Sequence, residues 1–226
     1  MDNKTYEYVE DRSMTIQQYI NNIFKWIGVL TTFMTAFALE KSSFMSYAGM
    51  LPFILIIFQF AVVIGLSRRL MTMKPITAKV LYMIYSVITG VTFSYAIASY
   101  TSFSVALAFL VAAIYFGVLV VLGTVIKMDL TRIGTICLAG LFVYIIFSVI
   151  VMIFHLGVGT LIMPLISLAL FAGITAYDMQ KSLQLYNYAS SNPEMLEKLS
   201  IYGAFNLYLD FVNIFLDILQ LLGDNK

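Results

Sequence analysis

The sequence predicts an all-α protein with seven transmembrane helices, for two reasons. First, 61% of its 226 residues are hydrophobic and 11% are charged, against roughly 25% charged residues in an ordinary soluble domain. Second, its charges are grouped in short polar segments that separate long charge-free windows. We therefore expect a single membrane domain over residues 1–226, in which a short polar segment, 1–22, precedes the first helix.

The charge-free windows locate the spans, because a helix needs roughly 20 apolar residues to cross a bilayer. Two windows are long enough for two helices each. Turn-forming residues divide them, at Tyr100–Ser102 in the first and at His155–Gly159 in the second. The expected spans lie within 23–39, 42–67, 80–126 (two spans), 133–177 (two spans) and 199–222.

The distribution of lysine and arginine predicts the orientation. With seven spans and a cytoplasmic N-terminus, eleven of these residues fall on the cytoplasmic side and two, Lys41 and Lys226, fall outside. Cytoplasmic loops normally carry this excess. The N-terminal segment has no basic stretch followed by an apolar core, so we expect no cleavable signal peptide. The C-terminus is expected outside.

Several classes of function are disfavoured by composition. The single cysteine, Cys137, excludes an internal disulfide and a cysteine metal site. A net charge of +1 provides no basic surface for nucleic acid. No nucleotide-binding loop, metal motif or nucleophile triad is present. We therefore expect a protein of the lipid bilayer that is not an enzyme and has no cofactor.

Local signals predict where some helices start and pack. Asn192 followed by Pro193 is typical of a helix start, with the asparagine as N-cap. Pro52 and Pro164 are also expected near helix starts. Small residues recur four apart in the sixth span, which favours close packing against another helix; they are Ala169 with Gly173 and Ala172 with Ala176.

The last span contains a polar stripe around Asp210. A carboxylate in the middle of a membrane helix costs roughly 2.5–3.5 kcal/mol on insertion scales, so a chain that retains one usually uses it. Asn206, Asp210, Asn213 and Asp217 are four, three and four residues apart, which places them on one face of a helix. We expect this face to contact other helices or a hydrated cavity.

A second intramembrane acid, Asp178, ends the sixth span. If Asp178 and Asp210 approach within hydrogen-bond distance, they can share one proton and release their two protons in separate steps. Loss of the shared proton would leave two like charges, which push the helices apart or admit water and cations. The alternative is that each aspartate only pairs with an arginine or asparagine to hold the bundle together.

Two motifs resemble the sixth and seventh helices of the Bax inhibitor-1 family. They are AYDMQK at 176–181 and YGAFNLYLDFVNIFLDILQLLG at 202–223. The resemblance implies a bundle in which a polar seventh helix is central. It also implies a pH-sensitive calcium leak channel of the cytoplasmic membrane, as bacterial members are understood, whereas eukaryotic members suppress cell death. Short loops favour the bacterial type.

The resemblance also assigns roles to residues. Asp178 and Asp210 correspond to the family's pH-sensing pair and would contact the metal ion, and either Arg68 or Arg69 corresponds to its latch arginine. Some members carry an acid in the second span, where this chain has Gln59. The expected ion path is lined by Asn206, Asn213 and Asp217. Since calcium prefers six to eight oxygen ligands, this set favours passage of calcium over tight binding.

Two other functions use the same acids. An aspartyl intramembrane protease also needs two carboxylates that share a proton, but its GxGD motif is replaced here by LYLD at 207–210, and LLGD occurs only at 221–224. A proton-coupled transporter of a small solute would use the acids as proton carriers. In each case the expected partners are protons, a small ion or solute and the lipid bilayer; the sequence identifies no protein partner.

Overall fold

In the computed structural model, the chain folds into a bundle of α-helices. The structure describes residues 14–40, 58–59, 61–65, 68–69, 72–154, 161–189 and 192–224. The helices are α1 (Ile16–Glu40), α2 (the helical residues 58–59, 61–65 and 68–69), α3 (Pro75–Ala98), α4 (Ser102–Val125), α5 (Thr131–Phe154), α6 (Ile162–Ala189) and α7 (Pro193–Leu222). The prediction of an all-α fold is confirmed for these residues.

Five of these helices, α3 to α7, are long and apolar enough to cross a membrane. The prediction of a protein with several membrane-spanning helices is therefore confirmed. The predicted break at Tyr100–Ser102 is also confirmed, since Thr101 caps α4 by accepting a hydrogen bond from the Ser104 amide at 3.2 Å. The break at His155–Gly159 and Pro52 lie outside the described residues. Pro164 lies in the first turn of α6.

The start of α1 was predicted wrongly. The helix begins at Ile16, seven residues before the expected start of the first span, so the last third of the segment 1–22 is helical. The reason is a capping box, in which the Gln18 side chain accepts from the Thr15 amide at 2.9 Å and the Thr15 hydroxyl accepts from the Gln18 amide at 3.2 Å. The polar residues of this turn remain exposed while Tyr19 is buried.

Pairs of contacts along the helices fix their directions. Lys79 of α3 lies 5.3 Å from the ring centre of Trp26 in α1, and further along both helices a side chain at Gly90 would contact the backbone of Met34. Lys79 also forms an ion pair with Glu197 of α7, and further along Phe93 stacks on Phe215. The helices α1, α3 and α7 therefore run in parallel. At the opposite end, the Asp224 amide after α7 donates to the Ser104 hydroxyl at 3.0 Å, so α4 runs the other way.

Close packing of small residues determines how α4, α5 and α6 meet. A side chain at Gly123 of α4 would contact the carbonyl oxygen of Ala176 in α6, and one at Gly173 of α6 would contact Cys137 of α5. The prediction that the small residues of the sixth span mediate packing is thus confirmed at Gly173 and Ala176. Because of these approaches, α6 lies between α5 and the rest of the bundle.

The last helix is the most buried of the membrane-crossing helices. It packs against α1, α3, α4 and α6, and 61% of its apolar stretch is buried, compared with 6% for α5. Its start agrees with the prediction, because Asn192 is the N-cap, accepts from the Met195 amide at 3.0 Å and is followed by Pro193 at the first position. The polar residues of α7 therefore lie among neighbouring helices.

Candidate functional site

Asp210 is buried between α7 and α6, with 4% of its surface exposed. Thr175 and Asp178 of α6 face it, and the two carboxylates are close enough to interact electrostatically. The helices approach closely here because Gly203 leaves room for Ser182, whose hydroxyl would lie 2.6 Å from a Cβ at that position. Asp178 and Asp210 are thus neighbours across the contact between α6 and α7, and the sharing of a proton between them stays a prediction.

Two polar atoms beside each other at this site are incompletely satisfied. Oδ2 of Asp210 and the hydroxyl of its neighbour Thr175 are both fully enclosed, and within the described ranges neither has a hydrogen bond of good geometry. A buried polar group left without a partner costs about 1–3 kcal/mol, and more if it is charged. The site can therefore be stabilised by a proton on Asp210, by a water molecule or by a cation.

Asp217 forms a second buried position further along α7. It is 6% exposed, and its Oδ2 is also without a hydrogen-bond partner. Ser167 of α6 and Tyr144 of α5 lie beside it. Since Asp210 and Asp217 both face α6, they form a column of two carboxylates and nearby hydroxyls along the contact between α6 and α7.

The two asparagines of the polar stripe are less enclosed than the aspartates. Asn206 and Asn213 are each half-buried, and the Asn213 side chain donates to the carbonyl oxygen of Leu209 in its own helix at 2.7 Å. The predicted shared face is thus buried most strongly at its two aspartates. The role of the asparagines in an ion path stays a prediction.

The proposed latch arginines form no ion pair with either aspartate in the described part of the chain. Arg68 and Arg69 are exposed, and among the described residues the ion pairs are Lys79 with Glu197 and Lys198 with Glu194. The cation that acts on Asp178 is Lys181, on the next turn of α6. Which arginine serves as a latch stays a prediction.

The geometry can be compared with known proteins. A family model described as "Inhibitor of apoptosis-promoting Bax1" matches residues 16–226, and this range includes both aspartates. The chain belongs to the Bax inhibitor-1 family. The predicted family is therefore confirmed, and both motifs that suggested it lie within the matched range.

Proteins of several bacteria are similar to this chain over most of its length. The inner membrane protein YbhL of Escherichia coli K12 is 31% identical over 218 residues, which cover 93% of each chain. An uncharacterised protein of Deinococcus radiodurans is 38% identical over 174 residues, covering 74% of this chain and 72% of the relative. An uncharacterised protein of Borreliella burgdorferi is 29% identical over 204 residues, or 88% of each chain.

Gln180 is a site residue of this Bax inhibitor-1 chain that was not predicted. Its amide group donates to the carbonyl oxygens of Ile126 and Met128 at 3.0 and 2.9 Å and accepts from the Leu130 amide at 2.8 Å. It therefore ties the connection between α4 and α5 to α6, two residues after Asp178. The sequence signal that could have identified Gln180 is its place in the AYDMQK motif.

Asp129 holds the connection between α4 and α5 at the start of α5. Its carboxylate accepts from the Thr131 amide at 2.9 Å and from the Thr131 hydroxyl at 2.6 Å. These hydrogen bonds hold the pKa of Asp129 below its usual range. The link between α4 and α5 is thus fixed to α6 by Gln180 and to the start of α5 by Asp129.

A second buried polar group lies between α2 and α3. The Gln59 side chain donates to the Thr89 hydroxyl at 3.2 Å, and the Thr89 hydroxyl donates to the carbonyl oxygen of Tyr85 at 3.0 Å. Tyr208 of α7 lies beside Thr89 with its own hydroxyl enclosed and without a partner. Gln59 therefore anchors α2 to α3, and it is the polar residue of the second span nearest to the acid that some family members were expected to carry.

A tight calcium cage is not formed by protein side chains alone in the described ranges, where no three His, Cys, Asp or Glu residues cluster. The available oxygens at the site come from two aspartates on α7, one on α6 and nearby hydroxyls. An ion with the six to eight ligands of a stable calcium site would need water for most of them.

Proposed function

We propose that this protein is a pH-gated calcium leak channel that is closed by a proton shared between Asp178 and Asp210. The observation that supports the proposal is the position of these carboxylates, which interact electrostatically from adjacent helices while the enclosed Oδ2 of Asp210 meets no hydrogen-bond partner among the described residues. A shared proton would give that oxygen a partner and hold α6 against α7. Family membership supports the same proposal.

Opening follows from loss of the shared proton. Two unit charges about 4 Å apart repel by about 4 kcal/mol at an effective dielectric constant of about 20, which is comparable to the coupling energies that switch protein conformations. The helices then separate, or water and cations enter to compensate the charge. Calcium would pass along the column from Asp210 to Asp217, with Asn206 and Asn213 completing the path.

We further propose that Arg68 or Arg69 binds Asp178 in the closed state. Both arginines are exposed, so neighbouring side chains do not enclose either guanidinium group. Lys181 already contributes a positive charge beside Asp178. An arginine would add a bidentate contact, which a lysine does not provide.

The proposed channel is a single membrane domain with seven spans, a cytoplasmic N-terminus and a central polar α7. The parallel directions of α1 and α3 support seven spans, because the chain between their ends must return across the bundle. The excess of Lys and Arg supports the orientation. The name of YbhL as an inner membrane protein supports the cytoplasmic membrane as the location. A channel of this kind carries out no covalent chemistry.

The decisive experiment measures calcium entry into liposomes that contain the purified protein, between about pH 5 and 8, the range in which physiological proton switches operate. We expect entry to increase with pH for the wild type. The substitutions Asp178→Asn and Asp210→Asn remove the shared proton and should each make entry independent of pH. Asp224→Asn, at an exposed carboxylate, is the matched control and should behave as the wild type.

The same assay separates the proposal from its alternatives. If both asparagine variants keep the wild-type pH dependence, the shared proton does not gate the protein. If uptake saturates and requires a proton gradient, the protein is a transporter rather than a leak channel.

A further inference from the structure

An apolar crevice opens on the side of the bundle between α1 and α4. Its volume is about 740 Å³, within the roughly 300–1,000 Å³ of small-molecule sites. Its lining includes Phe24, Gly28 and Thr32 of α1, Phe109 and Gly117 of α4, and Phe211 of α7. Because α4 is a membrane-crossing helix, the crevice faces the hydrocarbon of the bilayer.

Two of the three threonines that line the crevice use their hydroxyl protons within α1. The Thr32 hydroxyl donates to the carbonyl oxygen of Gly28, and the Thr35 hydroxyl donates to that of Thr31, both at 2.8 Å. A polar ligand would give up its hydrogen bonds to water without replacement, which is unfavourable by several kcal/mol. The lining therefore selects an apolar occupant.

The crevice is elongated along α1. It extends from Phe24 to Ala36, which is about 18 Å at 1.5 Å per residue.

The length of the crevice suits a lipid tail, since one leaflet contributes about 15 Å, half of the roughly 30 Å hydrocarbon core. Two glycines keep the space open. A Cβ at Gly28 or at Gly117 would have no atom within 4 Å. Small residues usually allow membrane helices to touch, but here they face an unfilled space.

We propose that this crevice is a binding site for one acyl chain of a membrane phospholipid. The chain would lie along α1 and α4 and contact Phe211, the residue that follows Asp210 in α7. This inference depends on the shape and lining of the crevice and does not depend on channel activity.

Filling the crevice tests the proposal. Gly28→Leu and Gly117→Leu place a side chain in the open space without a clash at Cβ. Gly65→Leu is the matched control, since Gly65 is also exposed with no atom within 4 Å of its Cβ. Each protein is reconstituted in palmitoyl-oleoyl phosphatidylglycerol vesicles, and an acyl-chain spin label reports the number of motionally restricted lipids. Native mass spectrometry then counts the phospholipids that each protein retains.

We expect the wild type and Gly65→Leu to retain one phospholipid and to restrict one more lipid chain than either crevice variant. Equal lipid numbers in all four proteins would overturn the proposal. It would also be overturned if the crevice variants changed a dimer into a monomer in the mass spectrum, because the crevice would then be an interface between copies. Thermal unfolding of each variant checks that it is folded.

Discussion

Gln180 shows how one side chain can position the candidate site. Its three hydrogen bonds hold residues 126–130 against α6 close to Asp178. Gln180→Ala should destabilise the protein by about 2 kcal/mol, because each lost hydrogen bond costs about 0.5–1.5 kcal/mol and part of the loss is recovered from water. The measurements are thermal unfolding in detergent and amide hydrogen exchange, in which the Leu130 amide should exchange faster.

The control for this change is Gln184→Ala. Gln184 lies one turn further along α6 and is exposed, so the same truncation should leave both stability and exchange at Leu130 unchanged. If Gln180→Ala exchanges at Leu130 as slowly as the control, the loop is held by other contacts.

Individual site residues differ in how well the sequence predicts them. Asp210 and Asp217 could be predicted because a carboxylate in an apolar helix must be buried among other helices, and the spacing of the stripe places them on one face. Their neighbours Thr175 and Ser167 could not, because hydroxyl groups are common in membrane helices and only the register of α6 against α7 places these two beside the aspartates. The assignment of Arg68 or Arg69 as the latch also remains a prediction, because the sequence does not show which of the two lies nearer to Asp178.

At the scale of helices, the contact between α4 and α6 depends on Gly123. A methyl group there would contact the backbone carbonyl of Ala176, which cannot move without shifting α6. Gly123→Ala should therefore destabilise the protein by about 1–3 kcal/mol, the usual cost of overpacking. Thermal unfolding in detergent measures the effect.

Gly117→Ala provides the comparison on the same helix. No atom lies within 4 Å of a Cβ at Gly117, so alanine should stabilise α4 by up to about 1 kcal/mol through its higher helix propensity. Opposite signs for the two substitutions would identify packing against α6 as the cause. Equal effects would mean that helix propensity alone decides the outcome.

Helix boundaries were predicted well where a specific side chain caps the helix and poorly where hydropathy alone was used. Asn192 with Pro193 and the turn at Tyr100–Ser102 carry local signals, and both were correct. The first helix was placed too late because its initial turn is polar on one side, which lowers the mean hydropathy. The capping box of Thr15 and Gln18 determines that start.

At the scale of the whole molecule, helix directions constrain the topology. Lys79 of α3 contacts Trp26 of α1 and Glu197 of α7, and further along α3 Gly90 meets Met34 of α1 and Phe93 stacks on Phe215 of α7, so the three helices run in the same direction. The end of α7 lies at the other side of the bundle, beside the turn between α3 and α4. Residues before α1 and after α7 should therefore lie on opposite sides of the membrane, as an odd number of spans requires.

Cysteine labelling in intact bacterial cells tests this topology. In a Cys137→Ser background, which removes the only native thiol, cysteines are introduced singly as Gln17→Cys before the first buried turn of α1 and Asp224→Cys after α7, both at exposed positions. A maleimide that cannot cross the membrane should label the cysteine at 224 and leave the one at 17 unlabelled, because the excess of Lys and Arg keeps the N-terminal side in the cytoplasm. Met128→Cys, in the connection between α4 and α5, should also be protected, and permeabilised cells should label all three. Labelling of positions 17 and 224 from the same side would require an even number of spans and would contradict both the parallel arrangement of α1 and α7 and the proposed orientation of the pore.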